Sequence, residues 1–337
     1  MVVSTPLSFE AVLSTLKAAG EETRLRIVAL LAEGELSVSD LTDILGQSQP
    51  RISRHLKLLM DAGLATRNRE GAFAFFRLET RGAGAPLAQA LAGALDRNDE
   101  ILAGDRARLA AVRAARAKAA EQYFSRHAIE WDRIRSLHVA ESEVEQAIVS
   151  AVGDRPIHAL LDLGAGTGRM LQLFAGRASR LVGVDSSPAM LQVARANLAK
   201  AGVRGVELRQ GDIYALPVER NAFDVVIIHQ VLHYLDDPSR ALREAAASLA
   251  PGGRMIVADF APHAIEELRE KQSHRRLGFT PEEITLLMQE AGLDSEGHRD
   301  LPPPDGDASK LTVSIWIGRD RRMITDYPLQ IPGREVA

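Results

Sequence analysis

The chain has 337 residues, a formal net charge of −4, 46% hydrophobic and 26% charged residues, and no cysteine. That length suits two globular domains of ordinary size. The charge excludes a global basic field, so any DNA contact needs a local patch, and the missing cysteines exclude disulfides, thiolate metal sites and a cysteine nucleophile. No uninterrupted apolar run reaches the roughly 18 residues of a membrane span. The first residues, MVVSTPLSFE, lack the charged and apolar regions of a secretion signal. The expected compartment is the cytoplasm, with no membrane partner.

Residues 8–80 read as short helices closed by a hairpin. Thr23–Leu31 (TRLRIVALL) sets Leu25, Ile27, Val28, Leu30 and Leu31 at amphipathic helical spacing, and Gly34 ends that helix. Ser37 reads as the N-cap of Val38–Leu45, with Asp40 at the third position in place of a capping-box glutamate. After a turn at Gly46, a second helix opens at Ser48 or Gln49 and runs to about Ala62, with Pro50 tolerated in its first turn. Two helices joined by a short glycine turn form a helix-turn-helix. The second helix packs through Ile52, Leu56, Leu59 and Met60. Its other face carries Gln49, Arg51, Ser53, Arg54, His55 and Lys57, the pattern of a recognition helix whose polar end meets base edges and phosphates in the major groove. Leu64–Arg67 and Phe73–Leu78 then alternate as two strands, a wing from which Arg67 and Arg69 can reach backbone phosphate.

The run EETRLRIVALLAEGELSVSDLTDILGQSQPRISRHLKLLMDAGLATRNREG resembles the ArsR/SmtB family of dimeric bacterial repressors. The resemblance implies a homodimer on a double-stranded operator. It also implies a metal-sensing Glu-Leu-Cys-x-Cys-Asp box at the start of the first helix of the motif. Here that box reads Glu35, Leu36, Ser37, Val38, Ser39 and Asp40. Hydroxyls do not hold soft metals as thiolates do, so no metal site is expected.

Residues 83–150 are rich in alanine, arginine and glutamate and favour helix. Leu87, Leu91 and Leu95 recur at helical spacing. The resemblance implies that they pair across a dimer axis; intrachain packing is the other reading. Arg106, Arg108, Arg113, Arg116 and Lys118 make either a phosphate-touching face or a solvated one. Tyr123 and Trp131 stand out in an aromatic-poor chain, as a lid over a ligand or as core.

From residue 155 apolar runs alternate with helical segments, the mark of a parallel α/β sheet. Ile157–Leu163 is a buried first strand, followed by the turn Gly164-Ala165-Gly166-Thr167-Gly168 and a helix. Glycines let backbone amides approach a ligand closely. The spacing is D-x-G-x-G-x-G rather than the dinucleotide G-x-G-x-x-G, and Asp162 at the strand end suits a cationic amino-acid group. Asp185 ends the second strand, where a carboxylate can accept from ribose hydroxyls. Ser186 and Met190 follow, Met190 able to pack on adenine. A third strand leads to Asp212 and Ile213, and a fourth, Phe223–Ile228, to His229, Gln230 and His233. A fifth, Arg254–Ala258, ends in Asp259 and Phe260. His263–Phe279 reads as one charged helix, Thr280-Pro281 as the start of another, Pro302–Pro304 with Asp305, Gly306 and Asp307 as a surface loop and Leu311–Ile317 as the last strand, with Trp316 in the core.

The blocks LLDLGAGTGR, GVDSS, GDIYALP, FDVVIIHQVLHYL and LAPGGRMIVADF resemble, in order, class I S-adenosylmethionine-dependent methyltransferases of the ubiquinone and menaquinone type. The resemblance implies that Asp162, Gly164 and Gly166 hold the methionine end, Asp185 the ribose, Asp212 and Ile213 frame the adenine, and His229 lies at the sheet edge facing the sulfonium; Ala165, Gly168, Ser186 and Met190 count among the cofactor-binding candidates. His229 or His233 can take a proton from an acceptor, or serve in packing. The fourth strand lacks an Asn/Asp-Pro-Pro-Tyr/Phe motif and the chain lacks cysteine, so methylation of DNA bases is not expected.

The fold class expected is α/β: an N-terminal winged helix-turn-helix at residues 1–82, a helical linker at 83–150, a Rossmann-like methyltransferase domain at 151–320 and a tail at 321–337. Two functions fit. One is a transcriptional regulator whose methyltransferase-like domain binds S-adenosylmethionine or S-adenosylhomocysteine as effector. The other is an active small-molecule methyltransferase that also regulates its own operon.

Overall fold

A computed structural model describes residues 7–70, 73–80, 82–131, 141–303 and 310–322. Residues 304–307 of the predicted surface loop and the predicted tail beyond 322 lie outside the described residues, and of Arg69 only the backbone is described. The chain divides into two compact units: Met1–Tyr123 with His233–Asp237 and Pro262–Gly278, and Phe124–Leu232 with Pro238–Ala261 and Phe279–Ala337.

In the first unit, α1 (Phe9–Ala19), α2 (Glu22–Ala32), α3 (Val38–Leu45) and α4 (Gln49–Asp61) pack around Ile27, Val28, Leu30, Leu41, Ile44, Ile52, Leu56 and Leu59, all buried. Ser37 and Asp40 close the predicted capping box reciprocally: the Ser37 hydroxyl accepts the Asp40 N–H at 3.2 Å, and Asp40 Oδ2 accepts the Ser37 N–H at 2.9 Å. Gly46, at φ 64°, ends α3 in the left-handed conformation that glycine adopts without strain. The antiparallel wing joins β2 (Ala65–Glu70) to β3 (Phe73–Leu78), and β3 also pairs with the short β1 (Leu36–Ser37).

Then come α5 (Ala85–Ala94) and the long α6 (Glu100–His127). Arginines of α6 that sequence assigned to phosphate or to solvent are instead turned to the helix-turn-helix. Arg108 Nε donates to the carbonyl of Ile44 at 2.6 Å, and Arg113 Nη2 to that of Glu33 at 3.0 Å. Both carbonyls lie at helix C-terminal ends, which lack intrahelical donors and attract cations. In the reverse direction Arg26 of α2 forms a two-pronged pair with Asp105 of α6, at 2.8 and 2.7 Å, and Asp105 is 1% exposed. The predicted helix over 263–279 is shorter than expected. It is helical only over Glu267–Gln272, because Ser273 turns left-handed at φ 58°.

The second unit holds α7 (Glu141–Val152) and a seven-stranded sheet in the order β6-β5-β4-β7-β8-β10-β9. The parallel strands are β4 (Ile157–Leu163), β5 (Ala178–Asp185), β6 (Val206–Gln210), β7 (Phe223–His229) and β8 (Leu249–Phe260). The antiparallel pair is β9 (Leu293–Leu301) and β10 (Val313–Asp320). Helices α8 (Arg169–Leu173), α9 (Pro188–Lys200), α10 (Pro238–Ser248) and α12 (Pro281–Glu290) belong to the crossovers, and Glu267–Gln272 is α11. Trp316 is fully buried, as predicted. Sequence reading missed β9, whose nine residues LDSEGHRDL bury only the terminal leucines. Both outer strands are dressed in charge. Arg180 reaches Glu207 at 2.8 Å and Glu219 at 3.2 Å on the β6 side, and Arg254 reaches Glu296 at 2.9 Å on the β9 side. The flanking guanidiniums of Arg180 and Arg209 draw Glu207 down to about 2.

Replacing Asp105 with asparagine keeps its shape but removes the charge that Arg26 and Arg108 share. The expected loss is about 1.5–3 kcal/mol, the range for hydrogen bonds to charged groups. It would be read as a lower urea midpoint for the α2–α6 region by hydrogen exchange.

Candidate functional site

The chain leaves β4 through Gly164, Gly166 and Gly168, all left-handed, at φ 71°, 49° and 83°. A Cβ on Gly164 would strike the Val231 side chain, so this position needs glycine for space as well as for conformation. The turn is tied to β5 because the N–H groups of Gly164 and Ala165 both donate to the Val184 carbonyl, at 2.8 and 3.0 Å. Asp185, at the end of β5, is locked on the same turn. Its Oδ2 accepts the Gly166 N–H and its Oδ1 the Ser187 N–H, each at 2.8 Å. Burial pushes the Asp185 carboxyl above the ordinary aspartate range, against those two amide donors. Each oxygen keeps lone-pair capacity beyond its single amide. The turn is thus lined by backbone and ended by a carboxylate whose two oxygens each hold one amide and keep room for another donor. That arrangement fits a ligand offering hydroxyl groups beside a compact polar end.

Around the turn, Asp162 is 2% exposed. Trp131 stands beside the glycines, its Nε1 3.8 Å from where a Cβ on Gly166 would sit, and it meets Phe124 edge-on at 5.3 Å. Asp212 is exposed, its Oδ1 accepting the Tyr214 N–H at 2.9 Å, with Ile213 half-buried next to it. Ser186 is exposed, whereas Met190 is 2% exposed and packs in the core, leaving little of its surface for an adenine ring. Tyr123 falls in the first unit, half-buried, and burial raises its phenol.

His229 is half-buried at the end of β7. His233 belongs to the first unit and is 1% exposed, stacked on Tyr234 at 4.0 Å and on His274 at 4.2 Å. Its ring lies in an aromatic cluster, away from solvent. Sequence reading also passed over Val231, whose methyl groups form the floor against Gly164; no motif spacing marks a residue chosen for shape.

In the first unit Gln49, Arg51, Ser53, Arg54 and Lys57 are exposed along α4, and Arg67 is exposed on β2. His55, predicted on that face, is 8% exposed instead, with Nδ1 3.6 Å from Glu21 Oε2. Burial lowers its basicity, opposed by Glu21 and assisted by Arg24, Arg51 and Arg54. The expectation that it lies on the exposed polar face is corrected: the helix period carries the ring to the packed side. Ser37 and Ser39 hydrogen-bond each other at 2.8 Å, and Asp40, the next residue in the first turn of α3, is fully buried. Among the described residues no cluster of three histidine or carboxylate side chains could hold a metal, and no helix is long and apolar enough to cross a membrane.

These features define a winged helix-turn-helix and a class I methyltransferase fold on one chain. Residues 21–67 match the bacterial regulatory proteins of the arsR family, and residues 161–257 match the methyltransferase domain family. An uncharacterized methyltransferase, YcgJ of Bacillus subtilis, is 32% identical over 36% of this chain and 49% of its own length. The ubiquinone/menaquinone biosynthesis C-methyltransferase UbiE of an Enterobacter species is 32% identical over 44% of this chain and 70% of its own. The solved YcgJ structure aligns over 54% of this chain and 100% of that one, with a TM-score of 0.47 and 20% identity. The chain thus belongs to the methyltransferase family that includes these C-methyltransferases, and it carries an arsR-family helix-turn-helix besides. It spans about half the length of the curated relatives it matches first. The ligand class follows from that membership: S-adenosylmethionine, or S-adenosylhomocysteine once the methyl is gone.

Gly164→Ala should lower the stability of the second unit by about 1–3 kcal/mol through overpacking and φ strain. Adding Val231→Ala should recover the steric share and leave the backbone share. A double-mutant cycle on thermal melts checks this; strict additivity would contradict the contact.

Proposed function

We infer that the protein is a DNA-binding transcriptional regulator, built on an ArsR-type winged helix without a metal site, whose methyltransferase domain holds S-adenosylmethionine or S-adenosylhomocysteine as its effector. The observation that carries this reading is the state of the two candidate sensors. The position of the thiolate box is closed by hydroxyls and a buried, ion-paired Asp40, while the cradle of Gly164–Gly168 and Asp185 is intact.

Asp185 would accept the ribose hydroxyls, Asp162 the methionine ammonium, and Asp212 Oδ2 the adenine amino group, with Ile213 against the base and Trp131 covering the glycine turn. Bound S-adenosylmethionine supplies an electrophilic methyl group on a sulfonium. On the other unit Gln49, Arg51, Ser53, Arg54 and Lys57 would meet the major groove, with Arg67 and Arg69 on flanking phosphate. A homodimer on a two-fold operator is part of the proposal. Phe9, Leu13 and Leu16 of α1 support it, an apolar stripe at helical spacing with Phe9 85% exposed. A DNA-reading role places the chain in the cytoplasm.

Catalysis is the second reading, an active small-molecule methyltransferase that regulates its own operon, and Gln230 favours it. Its backbone is left-handed at φ 55°, it is 7% exposed, and its Nε2 has no hydrogen-bond partner among the described residues. Strain and an unmet donor beside a ligand cleft suit the grip on an acceptor. Transfer of label from S-adenosylmethionine to an acceptor in cell extract would establish it.

The effector reading predicts that S-adenosylhomocysteine shifts affinity for a duplex selected by the protein from random DNA. At fixed salt, the shift should be about fivefold or more, as ordinary allosteric coupling gives. Equal affinity with and without either ligand would refute it. A second outcome follows from Asp185, which must be ionised to accept two hydroxyls. Its raised pKa means that protonation, and with it weaker ligand binding, begins at higher pH than the usual value of about 3.9. Calorimetry at stepwise lower pH should show wild-type affinity falling at a pH above the ordinary aspartate range, and a flat, weaker profile for Asp185→Asn.

A further inference from the structure

Within the first unit, two aspartates and two arginines close a ring of alternating charge at the start of α3. Arg116 of α6 pairs with Asp40 Oδ1 and, at 3.3 Å, with Asp236 Oδ1. Arg275 reaches Asp40 Oδ2 through Nη2 at 3.1 Å and Asp236 Oδ1 through Nε at 2.5 Å. Each cation therefore bridges both anions. Asp40 is fully buried, the side chains of Arg275 and Asp236 are 13% and 14% exposed, and that of Arg116, at the outer side, is 33% exposed. Beside it Arg276 pairs with Glu35, just ahead of β1. The same arginine segment covers Phe75 of the wing, with guanidinium carbons of Arg276, Arg275 and Arg269 at 4.1, 5.3 and 5.9 Å from the ring centre.

A ring of this chemistry resists partial disruption. With one member withdrawn, the others are left as buried charges with half their partners, a costly state that the chain escapes by rearrangement. The members also differ in origin. Asp40 belongs to the helix-turn-helix and caps α3, whereas Asp236 and Arg275 lie on segments that leave the parallel sheet at its C-terminal edge. Asp236 follows His229, the last residue of β7, by only seven positions, and Arg275 lies downstream of Phe260, the last residue of β8. Ligands of open α/β sheets bind at that edge.

We propose that this charge ring is the coupling element of the regulator: occupancy of the glycine cradle re-sets the segments after β7 and β8, and the ring passes the change to α3, α4 and the wing. The proposal rests on the effector reading and adds the route by which the effector acts. It places the response at the same turn of α3 where a metal box would act, with arginines taking the place of the metal ion as the cation held by Asp40.

Hydrogen exchange on the full chain, with and without S-adenosylhomocysteine, tests it. In the wild type the ligand should protect residues 157–168 and change exchange over residues 36–61 by about fivefold or more. In Asp236→Asn the protection of 157–168 should persist while the change over 36–61 is lost, and Asp236→Glu should restore it. Arg275→Lys, a point charge too compact to bridge both aspartates, should behave as Asp236→Asn and serves if that variant misfolds. An unchanged response at 36–61 in both variants overturns the ring but leaves the effector reading standing. A wild type that protects 157–168 without any change at 36–61 overturns the ring, while the effector reading stands or falls on the DNA affinity. No protection anywhere also removes the ligand assignment.

Discussion

A fully buried carboxylate survives only where donors and cations surround it, and Asp40 has both. It caps α3 through the Ser37 N–H and sits between the guanidiniums of Arg116 and Arg275. Burial alone would raise its pKa; Arg116, Arg275 and the Ser37 amide together hold it below the usual aspartate range. The capping of α3, the placement of α6 and the path of residues 262–278 are thus one problem with one solution. A residue that looks like a leftover of a metal box is instead the anchor of the first unit. The stabilisation it brings is present above the ordinary aspartate pKa and lost as the pH falls through its lowered value.

Local rules made much of this legible from the amino-acid sequence. The Ser37–Asp40 cap, the helix boundaries near Val38–Leu45 and Gln49–Asp61, the strand Ile157–Leu163 and the glycine turn after it all rest on short-range chemistry, and all are present. Failures arose where long-range packing decides. His55 looked polar and therefore exposed, but its helical phase puts it against Glu21. The arginines of α6 looked solvated because their partners, the carbonyls of Ile44 and Glu33, are distant in sequence. Strand β9 escaped notice because a strand at a sheet margin need not alternate. Asp236 and Arg275 carry no motif at all; only the fold brings them to Asp40.

The cradle shows the opposite balance. Each of its parts is a local feature, yet the unit works because parallel pairing brings the ends of β4, β5 and β7 to a common edge. Asp185 then meets the Gly166 amide nineteen residues upstream. The cost is a carboxylate whose charged form burial disfavours, offset in part by the amides of Ser187 and Gly166.

The charged dressing of β6 and β9 reaches beyond the single molecule. Unpaired backbone at the rim of a sheet invites the next chain to add a strand, and salt-bridged arginines and glutamates along that rim make such addition unfavourable. Self-association is thereby steered away from open-ended stacking. The pairs that tie β5 to β6 and β8 to β9 thus also guard the two free margins of the sheet.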